Sequence, residues 1–113
     1  MKNKYGAPLD GAGYAPSILQ QPDYKECWMC GKNGSSDKLD RHEIFEGPFR
    51  KKSKNLGLWV YLCHNSCHIF GVDAVHRNAK NMDCLHRIGQ IVAMSYYGWS
   101  TNDFIREFGR NYL

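Results

Sequence analysis

The stretch LCHNSCHIF, Leu62 to Phe70, contains two cysteines and two histidines between Cys63 and His68, and all four side chains can bind a soft or borderline metal ion. A second pair, Cys27 and Cys30, lies upstream with 32 residues between it and Cys63. The four thiolates of Cys27, Cys30, Cys63 and Cys67 match the tetrahedral preference of Zn²⁺. ECWMCGKNG reads as a metal knuckle, in which Gly31 and Gly34 permit the tight turn behind the second cysteine. Such a zinc site is structural and contributes folding energy directly, because the open chain cannot bind the metal in the same way. Cys84 stands apart, at the edge of an apolar helical stripe, and reads as an inert buried thiol.

If Cys63 and Cys67 face the zinc, His68 must point elsewhere, since consecutive helical residues are turned by ~100°. His42 and His76 are its candidate partners. Imidazoles gathered on one surface either hold a catalytic divalent metal or work as an acid–base pair. His64 and His86 have no evident partner in the sequence.

These side chains need elements to position them. LDRHEIF and LGLWVYLC are short β-rich runs and predict a hairpin, joined by the long polar connection EGPFRKKSKN. A short helix interrupted by Gly71 is expected after Cys67. AKNMDCLHRIGQIVAMSYYG predicts a long helix with Met82, Leu85, Ile88, Val92 and Tyr96 on one stripe, ended by Gly98. A last helix starts at Ser100, with Asp103 three residues on, and stops at Gly109. Residues 1–24, rich in Gly, Pro and Tyr without periodicity, read as a partly ordered arm; residues 25–113 read as one α+β domain with helices towards the C-terminus.

CWMCG, DRHEIF and VYLCHNSCH together resemble the HNH endonuclease family in its zinc-knuckle form. The span RHEIFEGPFRKKSKNLGLWVYLC with FGRNYL is similar to small phage or prophage HNH-like proteins. The resemblance implies a treble-clef-like ββα-metal domain that hydrolyses phosphodiester bonds in DNA. It places His42, His68 and His76 on a catalytic metal such as Mg²⁺, Mn²⁺, Ni²⁺ or Zn²⁺, and Glu43 in the general-base slot. A shifted register would make His42 the base and put Arg41 in a ligand position that a guanidinium cannot fill. Asn55 and Asn78 are the candidates for the family's central asparagine. The alternative reading is a non-catalytic zinc-binding module for nucleic acid or protein.

The chain of 113 residues carries a net charge of +4, and the clustering of that charge is more informative than its size. Arg50, Lys51, Lys52 and Lys54 fall in the hairpin connection, with Arg41 nearby, and are expected to contact the DNA backbone. Tyr96, Tyr97 and Trp99 read as packing residues. No apolar run reaches the ~20 residues of a membrane-spanning helix, and the N-terminus has no secretory h-region. Those features predict a cytoplasmic protein with no membrane partner, and the resemblance implies a bacterial host and a phage or prophage origin.

Overall fold

A computed structural model describes residues 1–21 and 23–113. Strand β1 (Leu39–Glu43) pairs antiparallel with β2 (Trp59–Cys63), Leu39 standing opposite Cys63 and Glu43 opposite Trp59. Side chains alternate along a strand, so Asp40 and His42 share one face of β1 while Arg41 and Glu43 share the other.

The polar connection between the strands is helical rather than an open loop. A 3-10 turn (Gly47–Phe49) with Pro48 in its first turn runs into helix α1 (Arg50–Asn55). The sequence hides α1 because it has no apolar stripe and buries only Ser53. That hydroxyl accepts from the Phe45 N–H at 3.2 Å and donates to the Leu58 carbonyl, tying the helix between the two strands. Gly57 then reverses the chain at φ +74°, where a Cβ would collide with the Pro16 carbonyl oxygen.

Helix α2 (Ala79–Tyr97) begins at Asn78, whose side chain accepts from the Asn81 N–H, and ends at left-handed Gly98. Its buried residues are Leu85, Gly89, Gln90 and Ala93. The inward face is rotated from the expected stripe: Tyr96 is exposed, and Tyr97 packs inward with its hydroxyl donating to the Leu56 carbonyl at 2.6 Å. Cys84 is also exposed, which corrects its reading as a buried thiol. Helix α3 (Thr101–Phe108) carries the capping box of Ser100 and Asp103 and stops at left-handed Gly109.

The core forms where these elements meet. Phe45, at the exit of β1, packs on Phe108 and Phe104 of α3 at ring separations of 4.6 and 5.4 Å, with Leu56, Leu58 and Leu62 buried around them. Buried Gln90 reaches the C-terminal segment, donating to Asn111 and accepting from the Tyr112 N–H. The N-terminal segment lies against the body: Ala15 is buried and accepts from the Trp59 indole N–H at 2.7 Å, and the Gln20 side chain accepts from the Tyr61 N–H. Among the described residues no helix is long and apolar enough to cross a membrane.

Candidate metal centres

After β2 the chain enters a π-helical turn (His64–Ile69) with Cys63 at its N-cap. Residues four apart on such a turn lie on one side. Cys63 and Cys67 therefore face one way, and His64 and His68 face another. Asp37 holds the turn from outside: its carboxylate accepts from the N–H groups of Asn65 and Ser66 at 3.0 and 2.9 Å and from the Ser66 hydroxyl at 2.7 Å. Those bonds hold the Asp37 carboxyl down at about 2.

On the first side the knuckle meets the turn. The sulfurs of Cys27, Cys30, Cys63 and Cys67 lie within 4.8 Å of one another, three of the residues buried and Cys30 exposed. The Cys30 and Cys63 sulfurs are 3.5 Å apart, close to the edge of about 3.8 Å of a tetrahedron with Zn–S bonds of ~2.3 Å. Burial works against charge on Cys27, but backbone N–H groups of Cys30, Cys63 and Met29 outweigh it and bring the thiol to about 7. Burial together with the neighbouring thiols pushes Cys63 up to about 12 and raises Cys67 as well. The four cysteines are positioned to bind a metal ion, and the arrangement is compatible with structural zinc.

On the second side His42 from β1, His68 from the turn and His76 from the loop before α2 converge, each offering a ring nitrogen within 4.8 Å of the others. His68 Nε2 lies 3.3 Å from His42 Nδ1 and 3.1 Å from His76 Nε2. These separations suit adjacent ligands of one tetrahedral ion, for which Zn–N bonds of ~2.0–2.1 Å give an edge of about 3.3 Å. The loop between His68 and His76 closes through backbone bonds from Val75 N–H to the Cys67 carbonyl and from His76 N–H to the His68 carbonyl. That closure brings the two imidazoles together in spite of their eight-residue interval.

Burial, with His68 and His76 adding to it, pushes the His42 pKa down to about 3. His76 is lowered too, by burial first and His68 second, with Glu46 opposing. His42 is therefore neutral at ordinary pH and can coordinate. Its Nε2 is buried without a hydrogen-bond partner among the described residues. An unpartnered buried polar atom costs about 1–3 kcal/mol, and it is the other nitrogen, Nδ1, that faces His68 and would meet a cation.

The remaining expected site residues lie elsewhere. Glu43 is on the opposite face of β1 from His42, where it accepts from the Tyr14 hydroxyl at 2.7 Å and pairs with Arg50 at 3.3 Å. Strand alternation separates it from the imidazoles, so the general-base expectation is not met by this geometry. Arg41, also on that face, pairs with Asp10 and stacks on the Tyr14 ring at 3.8 Å. Lys54 lies over the Tyr14 ring, and Lys52 donates to the Glu107 carbonyl. Of the five expected DNA-contacting cations, Lys51 alone is exposed with no ion pair or ring contact among the described residues. Asn78 is used as a helix cap and Asn55 ends α1.

One residue that the sequence left without a role, Asp40, stands beside the histidines. Asp40 Oδ2 lies 2.8 Å from His68 Nδ1 and 2.5 Å from His64 Nδ1. Burial opposes its charge, but the bonds from His68 and His64 outweigh burial and hold the Asp40 carboxyl below the usual range. The only sequence signal was its place two residues before His42 on one strand. His86 was likewise unassigned; it stacks on Phe45 and bonds the Glu46 carboxylate at 3.2 Å. Compared with protein-family models, with curated proteins and with solved structures, the chain matches none, so the HNH resemblance rests on its motif residues.

Proposed function

We propose that this chain is a metal-dependent phosphodiesterase acting on DNA, an HNH-type endonuclease or nickase on a treble-clef-like ββα-metal scaffold. The observation that carries the reading is the convergence of His42, His68 and His76 beside a separate cluster of four cysteines. Four thiolates favour a closed structural site, whereas three imidazoles are the ligand set of an open one, to which water or substrate can be added.

A divalent cation held by His42, His68 and His76 would supply Lewis-acid stabilisation to the phosphoryl oxygens and the leaving 3′-oxygen. The protein's own part is positional. Burial keeps His42 uncharged and its ring fixed. The π-helical turn holds His68 next to Cys67, so the zinc site and the histidine site share one rigid support. Lys51 is free to meet a phosphate.

A non-catalytic nucleic-acid- or protein-binding module is the second reading, and the placement of Glu43 on the far face favours it. Incubating zinc-loaded protein and supercoiled plasmid with Mg²⁺, Mn²⁺, Ni²⁺ or added Zn²⁺ separates the two. Nicking that one of these ions supports, and that His68→Ala abolishes, is the expected result; retention of plasmid by the protein without cleavage under every ion favours the module.

A further inference from the structure

We propose that Asp40, itself held by His64, is a positioning residue that fixes the ring and tautomer of His68 and so aims its Nε2 lone pair at His42 and His76. The inference rests on the reading of the three histidines as a metal site.

The geometry is a chain of contacts. β1 presents Asp40 and His42 on one face, and the π-helical turn presents His64 and His68 towards it. Asp40 Oδ2 meets both Nδ1 atoms, at 2.8 Å for His68 and 2.5 Å for His64. A carboxylate is acceptor-only, so each of those nitrogens must carry the hydrogen. A neutral imidazole protonated on Nδ1 has its lone pair on Nε2, and Nε2 is the atom of His68 that faces His42 and His76. A carboxylate behind a metal-binding histidine raises the basicity of the ligand and fixes its orientation.

The same three donors, Asp40, His64 and His68, could be read as a cation site of their own. The distances decide against it. Adjacent ligands stand about 3.3 Å apart on a tetrahedral ion and about 3.0 Å apart on an octahedral one, whereas the 2.8 Å to His68 is a charge-assisted hydrogen-bond length and the 2.5 Å to His64 is shorter still. His64 is thus an anchor: its ring bonds Asp40, rests edge-on against Phe70, and its N–H donates to the Lys38 carbonyl.

The test uses the full-length, zinc-loaded protein and needs no DNA. Nitrogen-15 shifts of the histidine rings are expected to show His68 protonated on Nδ1 in the wild type. Asp40→Ala should convert most of the His68 population to the Nε2–H form and weaken Co²⁺ binding at the histidines by about 10–100-fold. Zinc at the cysteines should stay at one per chain. Asp40→Asn, which keeps the shape, should weaken Co²⁺ binding less, and it serves in place of Asp40→Ala if that variant does not fold. A wild-type His68 protonated on Nε2, or both variants binding Co²⁺ like the wild type, overturns the proposal. So does a second Co²⁺ equivalent that disappears in His64→Ala, because Asp40 would then be a ligand in its own right. A Co²⁺ site that depends on Asp40 in a protein that cuts no DNA overturns the nuclease reading alone.

Discussion

His42 is the buried titratable group with the largest consequence at ordinary pH. Its folded pKa of about 3 lies below the ~6.5 of an open chain. The unfolded chain therefore takes up a proton below pH 6.5 that the folded chain refuses until about pH 3. Stability contributed by this residue is intact above 6.5 and declines as pH falls towards 3, because the unfolded state binds more protons there. Urea titrations of zinc-loaded protein between pH 7 and 5 should show that slope, reduced by about one proton in His42→Gln; an identical slope in the variant would contradict the burial argument. The cysteines behave differently. Cys67→Ser removes a donor from the four-sulfur cluster, and structural zinc sites of this class bind with about 10–16 kcal/mol. The expected outcome is loss of zinc and of the cooperative unfolding transition, read by metal analysis and calorimetry.

Between elements, α2 comes close to the exit of β1 at Gly89, where a Cβ would lie 2.8 Å from Ile44 Cγ2 and 3.2 Å from Phe45 Cζ. Alanine gains about 1 kcal/mol over glycine inside a helix. Forcing a methyl into a filled core costs about 1–3 kcal/mol. Packing wins, so Gly89→Ala should lower the melting temperature although it improves helix propensity; a rise would show that Ile44 yields freely. Asp37 governs the π-helical turn that carries both Cys67 and His68. Asp37→Ala should speed amide exchange at the N–H groups of Asn65 and Ser66 and weaken metal binding at both centres together. Loss at only one centre would mean that the turn is not a shared support. The C-terminal end of α2 and both ends of α3 were legible because caps are local chemistry, written in Gly98 and in Ser100, Asp103 and Gly109. Helix α1 was not, because Ser53 alone is buried on it and periodicity gave no sign.

Across the whole molecule, the N-terminal segment and α3 engage three of the five cations that the sequence suggested for DNA, Arg41, Lys52 and Lys54. Asp10 takes Arg41, Tyr14 sits under Arg41 and Lys54, and the Glu107 carbonyl takes Lys52. None of those partners was legible, since each lies at least 27 residues away along the chain. If the chain binds DNA, Lys51→Ala should reduce the salt slope of binding by about 1. Lys52→Ala should leave the slope unchanged and lower stability instead. Equal slopes lost by both would mean that Lys52 leaves Glu107 to meet phosphate. The candidate ligands themselves were legible because their spacings are short: Cys27 to Cys30, Cys63 to Cys67, and His68 beside Cys67. Asp40 was hidden because its partners depend on the hairpin register and the π-helical turn.

On the proposed reading, Cys63 and Cys67 serve one metal and His68 another. Metal counting on paired variants tests it most directly, using zinc-loaded protein with Co²⁺ as the second ion. Wild-type protein should hold one zinc at the cysteines and one Co²⁺ at the histidines, and His68→Ala should keep the zinc and the melting temperature while losing the Co²⁺. Release of the zinc by His68→Ala, in protein that remains folded, would show a single mixed site and contradict the account.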